Sequence, residues 1–268
     1  MAIYLNTTLN KMDSQKIIKD IVTWLKEYVK NNNIKALVIG VSGGIDSAVT
    51  STLSAMTGIK TYAVGMPICQ EKNQETLSDR QMDWLCHKFD NVEKVKINLN
   101  DTYKTLTTIF SETDKKLNYN HANANTKSRL RMVTLYHIAT ANKGIVVGTG
   151  NKVEDFGVGF YTKYGDGGVD ISPIADLYKS QVYELARNLN IIQDIIDAPP
   201  TDGLWEDGRN DEDQIGASYE DLEWVMKEGL HKKEDDLSDE EREKIKIYNK
   251  FHYANKHKML DIPIFKLN

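Results

Sequence analysis

At 268 residues, 40% of them hydrophobic and 27% charged, the chain has the make-up of an ordinary globular protein, so one domain over 1–268 is expected. No apolar run approaches the roughly 20 residues of a membrane span, and no basic segment with a hydrophobic signal core opens the sequence, so a cytoplasmic location without a membrane partner is expected. A formal charge of -5 and a pI near 5.7 argue against broad nucleic-acid binding, and two cysteines without zinc-ligand spacing, Cys69 and Cys86, point to reduced thiols.

Asp13 opens an amphipathic helical pattern with Ile17, Ile18, Ile21, Val22, Leu25, Tyr28 and Val29 on one face, closed by three asparagines at 31–33. A buried strand over 36–41, a helix over 47–57 with Gly58 at its end and a second strand over 61–65 make a βαβ unit, hence a parallel sheet. Leu77, Met82, Leu85 and Phe89 return to helical spacing. A strand over 92–97, helices over 103–111 and 126–142, and a buried strand over 145–149 follow. The expected fold class is therefore α/β, a doubly wound and mainly parallel sheet of at least four strands with helices on both faces, Rossmann-like. Beyond Gly150 the sequence turns glycine-rich over 157–168, a helix is expected over 179–190, and the acidic, irregular stretch 199–214 reads as a lid loop. Two helices close the chain, one capped by Ser218 with Asp221 at the fourth position and one by Ser238 with Glu241.

Between the first strand and its helix lies Ser42-Gly43-Gly44-Ile45-Asp46-Ser47. Backbone N–H groups and the positive end of a helix suit an anionic oxygen cluster, and two glycines remove the Cβ atoms that would block its approach. The loop is not a Walker A motif, because Gly44 is followed by Ile45 and Asp46 rather than lysine and Ser/Thr. A carboxylate beside a phosphate cradle repels the ligand unless a divalent cation lies between them, so Asp46 points to Mg²⁺; its alternative role is to cap a helix beginning at Ser47. Met66 and Pro67, at the end of the second strand, stand where a doubly wound sheet takes an adenine.

Ser-Gly-Gly-x-Asp-Ser resembles the pyrophosphate loop of enzymes that split ATP between its α and β phosphates. Within that group, the runs Asn125 to Met132, Gly148-Thr149-Gly150-Asn151-Lys152-Val153-Glu154 and Thr162-Lys163-Tyr164-Gly165-Asp166-Gly167-Gly168-Val169-Asp170, with His257-Lys258, are similar to ammonia-dependent NAD⁺ synthetases, in order along nearly the whole chain. The resemblance implies the adenine nucleotide alpha hydrolase-like fold and the ATP-dependent amidation of deamido-NAD⁺ through an acyl adenylate. It also implies a homodimer, with ATP, deamido-NAD⁺ and ammonia as partners and Mg²⁺ as cofactor. By the same resemblance Gly40, Val41, Ser42, Gly43, Gly44, Ile45, Asp46, Ser47, Thr149, Lys179 and Thr201 bind ATP, and Asp46 and Glu154 hold Mg²⁺. Asp46 and Lys179 act in catalysis, and Arg129, Lys163, Asp170, His257 and Lys258 bind deamido-NAD⁺.

One stretch departs from the family's other common form: Thr-Gly-Asn-Lys-Val stands before Glu154 where many members carry Thr-Asp-His-Ala-Ala. Glutamine-using members carry a fused glutaminase domain. The stretch before the first strand, about thirty residues, is too short for one, so free ammonia is the expected nitrogen donor. Two other readings compete, another amidating or transfer-RNA-modifying pyrophosphate-loop enzyme and a non-catalytic nucleotide-binding sensor. The first expects catalytic cysteines or basic appendages, and the second needs neither Glu154 nor the block 163–170.

Overall fold

The run of apolar residues in β1 (Ala36–Gly40) is buried on both faces, which only a central parallel strand requires. In the computed structural model, which describes residues 12–69, 72–111, 119–201, 203–205 and 210–267, β1 pairs in parallel with β2 (Lys60–Gly65) on one side and β4 (Gly144–Val146) on the other. The strand β3 (Val92–Lys96) extends the sheet beyond β2, giving the order β3-β2-β1-β4. A single parallel bridge from Val147 to Ile171 prolongs the β4 edge.

Alternate residues of β1 face opposite sides. Leu37 and Ile39 join the larger core with α1 (Ser14–Asn31), α2 (Ile45–Ala55) and residues of a later helix, while Val38 packs with Met66, Ile138 and Val146 on the other side. That second side is covered by α5 (Asn120–Ala141), which follows α4 (Asn100–Ser111), whereas α3 (Lys72–Lys88) lies against β2 and β3. Helices on both faces and an all-parallel sheet agree with the expected doubly wound class.

Several boundaries differ from the sequence reading. α2 begins at Ile45 with Gly44 as its extended N-cap residue, so Asp46 sits inside the first turn and does not cap it. α4 and α5 begin earlier than expected, at Asn100 and Asn120, and β4 is shorter than the apolar run 145–149. Glu154 stands in a π-helical turn, Val153–Val158, that ends on Gly159 in the left-handed region. The chain continues through α6 (Lys179–Leu189), α7 (Gln193–Asp197), α8 (Asp211–Ile215), α9 (Tyr219–Lys227) and α10 (Asp239–Met259). α8 places ordered helix at the end of the expected lid stretch, and positions 202 and 206–209 of that stretch lie outside the described residues. Ser218 and Ser238 cap α9 and α10 as expected, and Cys69 and Cys86 are free. Among the described residues no helix is long and apolar enough to cross a membrane.

Candidate active site

The sheet order reverses at β1: β2 and β3 follow on one side of it, and β4 is placed on the other. A crevice opens at their carboxyl ends, the place where open α/β sheets bind ligands. It is a cleft of about 360 Å³. Gly40, Val41, Ser42, Gly43, Gly44, Ile45, Asp46 and Ser47 line it along one wall, and Thr149, Glu154, Lys179 and Thr201 complete it. Every residue expected at the ATP and metal sites is thus brought to one cavity from five separate segments, together with Met66 and Pro67.

The loop holds its own shape. Ser47 Oγ donates to the Gly44 carbonyl at 2.9 Å and accepts from Ser42 N at 3.2 Å, while Gly44 N donates to Ser42 Oγ at 3.2 Å. Gly43 is in the left-handed region at φ +90°, and a Cβ there would come 2.7 Å from the Gln74 carbonyl oxygen and 2.9 Å from Ser78 N. Glycine is therefore required twice over, by conformation and by the close approach of α3. Ser78 Oγ secures that approach by donating to the Val41 carbonyl at 2.6 Å.

Asp46 and Glu154 converge on one ammonium. Lys179 Nζ donates to Asp46 Oδ2 at 2.6 Å and to Glu154 Oε1 at 2.9 Å; the lysine side chain is 3% exposed and the two carboxylates 16% and 17%. Burial acts to lower the Lys179 ammonium, but the carboxylates of Asp46 and Glu154 outweigh it and hold the lysine charged. Burial lifts Asp46 above the usual carboxylate range in spite of Lys179. It also acts to lift Glu154, but there Lys179 and the Tyr219 hydroxyl prevail and hold the carboxyl below the usual range.

Four residues of this cluster were not singled out from the sequence. Asn151, fully buried, donates from Nδ2 to Asp46 Oδ1 at 3.2 Å while its Oδ1 accepts from the backbone N–H groups of Val153 and Glu154, so it fixes one carboxylate relative to the other. It belongs to the stretch that departs from the common family form. Tyr219 Oη donates to Glu154 Oε1 at 2.6 Å and lies 3.3 Å from Asp211 Oδ2; its position directly after the Ser218 cap was the only hint in sequence. Asp155, next to Glu154, also lines the cleft, and burial with the charges of Glu154, Asp166 and Asp46 pushes its carboxyl well up.

The residues expected at the deamido-NAD⁺ site lie elsewhere. Arg129 Nη2 donates to the Lys163 carbonyl at 3.4 Å and Lys163 Nζ to the His257 carbonyl at 2.9 Å, linking three of them beside the cleft rather than in it. Lys258 lines a smaller adjoining cavity of about 170 Å³ and donates to the carbonyls of Gly159 and Tyr161 at 2.9 and 2.8 Å. Asp170 accepts from Val146 N at 2.7 Å and from Tyr136 Oη at 3.0 Å, at the end of β4.

Two carboxylates facing a cation position beside a phosphate cradle fit Mg²⁺, which takes oxygen ligands and commonly uses one or two carboxylates with phosphate and water. Among the described residues no group of three or more His, Cys, Asp or Glu side chains is arranged to hold a metal.

Residues 17–261 match the NAD synthase family. The NH(3)-dependent NAD(+) synthetase of Finegoldia magna is 35% identical over 241 residues, 90% of this chain and 95% of that protein. Among solved structures, an NMN synthetase from Francisella tularensis superposes with a TM-score of 0.83 at 30% identity, covering 96% of this chain and 100% of that one. An NH3-dependent NAD synthetase from Campylobacter jejuni, in complex with the nitrate ion, gives 0.72 at 27% identity, again over 96% and 100%.

Proposed function

The chain belongs to the NAD synthase family, and on that premise we propose how its cleft performs the ATP-dependent amidation of deamido-NAD⁺ by ammonia. The carrying observation is the convergence of Asp46, Glu154 and Lys179 beside the Gly43-Gly44 loop at the β1/β4 crevice. A carboxylate is a poor electrophile. Its oxygen first attacks the α-phosphorus of ATP, pyrophosphate leaves, and the resulting acyl adenylate then loses AMP when ammonia attacks the carbonyl carbon. Because the first step joins two anions, positioning and charge neutralisation supply most of the catalysis.

The loop 42–47 receives the phosphates on its backbone and hydroxyl groups, while Thr149 and Thr201 border them. Lys179 supplies the positive charge that follows the phosphates. Asp46 and Glu154 would hold Mg²⁺, which when bound neutralises phosphate charge next to the loop. Asn151 and Tyr219 keep those two carboxylates aimed. The linked cations Arg129 and Lys163, with His257, Lys258 and the Asp170 acceptor, are the proposed deamido-NAD⁺ residues; the bonds that join Arg129, Lys163 and His257 beside the cleft support reading those three as one subsite. A homodimer is supported by apolar side chains left exposed, Ile109 and Val133 on the helices and Ile264 and Phe265 in the C-terminal segment. Family membership over 17–261 sets aside the transfer-RNA-modifying and sensor readings.

The Francisella tularensis match favours one second reading, in which the same carboxylate chemistry acts on nicotinate mononucleotide to give NMN. Purified protein supplied with ATP, Mg²⁺, ammonium and either acid decides between them. A higher kcat/KM for deamido-NAD⁺ is expected. A higher value for the mononucleotide transfers the assignment, and amidation of neither overturns both.

A further inference from the structure

Lys179 occupies the position between Asp46 and Glu154 that a bridging cation would take. Its ammonium lies 2.6 Å from one carboxylate oxygen and 2.9 Å from the other, and its side chain is almost fully buried. The Tyr219 ring lies beneath it with its centre 4.7 Å away, adding a favourable face for a cation. Both carboxylates have a second partner, Asn151 at the other oxygen of Asp46 and Tyr219 at the same Glu154 Oε1 that meets the lysine, so the pair is built as a rigid cation seat and not as two loose side chains.

An Mg²⁺ ion sits at about 2.0–2.1 Å from its oxygens, shorter than either of these nitrogen–oxygen distances, and its charge repels an ammonium in the same seat. Metal and lysine therefore exclude one another. A buried lysine does not leave two carboxylates without another anion to receive it. The loop 42–47 borders the same cleft and offers that anion once phosphates are seated on it.

We propose that Lys179 holds the metal seat in the nucleotide-free enzyme, and that metal and nucleotide enter together by cation exchange, the lysine moving from the carboxylates to the phosphates. The inference rests on the reading of Asp46 and Glu154 as the metal carboxylates. It adds an order of events: the seat has little affinity for a free divalent cation, and nucleotide and metal strengthen one another's binding. Linkage makes that coupling reciprocal. Removing the lysine's charge opens the seat to the metal alone.

The test uses Mn²⁺, counted by its electron paramagnetic resonance signal, on the full chain without nucleotide. Wild type is expected to bind Mn²⁺ at least tenfold more weakly than Lys179→Met, and a non-hydrolysable ATP analogue is expected to raise Mn²⁺ affinity far more in wild type than in the variant. Equal affinities of wild type and Lys179→Met without nucleotide overturn the exchange. Asp46→Asn separates that failure from failure of the metal assignment: if Mn²⁺ binding with the analogue is unchanged in Asp46→Asn, the carboxylates are not the metal's ligands and both statements fall. Should Lys179→Met not fold, wild-type crystals soaked in Mn²⁺ alone decide. No anomalous peak between the carboxylates is expected, and a peak there with Lys179 still bonded to both overturns the proposal.

Discussion

Tyr219 contributes a hydroxyl, not a charge, yet it assists Lys179 in keeping Glu154 ionised. Its donation at 2.6 Å is one of the reasons the Glu154 carboxyl lies below the usual range, and burial together with Glu154 holds the phenol firmly protonated. Hydrogen bonds to charged groups are worth about 1.5–3 kcal/mol, so Tyr219→Phe is expected to lower unfolding free energy by about that amount in a denaturant titration. Asp155 acts in the opposite sense. Its folded-state affinity for a proton is raised, so as pH climbs through the raised value the native state loses stability that it holds at low pH. Asp155→Asn is therefore expected to melt above wild type at pH near 8, with the difference vanishing below the ordinary aspartate value of about 3.9. Equal melting temperatures at both ends contradict that reading. Asp46 and Glu154 were legible because they stand in recognisable motifs, and Lys179 only through the family resemblance that those motifs carry. Tyr219 was not, since its partner lies 65 residues away and nothing local to α9 requires a hydroxyl there. Asn151 could be seen only as a departure, because its use depends on bringing Asp46 next to it, 105 residues along the chain.

At the level of elements, the turn between β1 and α2 is the most constrained part of the molecule. Gly43 needs a left-handed backbone and has α3 against it, so Gly43→Ala meets strain and collision together. Left-handed strain alone is worth about 1–3 kcal/mol, and the expected loss in unfolding free energy exceeds it, with nucleotide binding lost in parallel. Gly58→Ala is the control, for it shares a positive φ but has open space around its Cβ position. Apolar periodicity located α1, α2, α6 and all four strands, since the helices, β1, β2 and β4 bury residues in a core and β3 lays Val92 and Val95 against one. It located only part of α5: the polar opening turns at 120–125 carry no periodic signal, and they are helical in a place where Asn125 Oδ1 accepts from Thr162 Oγ1 at 2.6 Å. α8 escaped for the same reason, its five residues being mostly acidic, with Asp211 buried against Tyr219.

At the scale of the whole molecule, chemistry follows from topology. The order β3-β2-β1-β4 sets the β1 and β4 loops side by side, and residues from positions 46, 154 and 179 meet there although none is near another in sequence. The parallel sheet and this crevice were foreseeable from the βαβ alternation, whereas the ion pair across it was not, because spacing along a chain carries no distance across a cleft. The chemistry in this crevice turns on the attack of the substrate carboxylate on the α-phosphorus of ATP. Turnover of deamido-NAD⁺ labelled with ¹⁸O in its carboxylate, followed by mass spectrometry of the products, tests it most directly. One labelled oxygen is expected in AMP, with pyrophosphate unlabelled, whereas label in orthophosphate, with ADP formed in place of AMP, would contradict the claim.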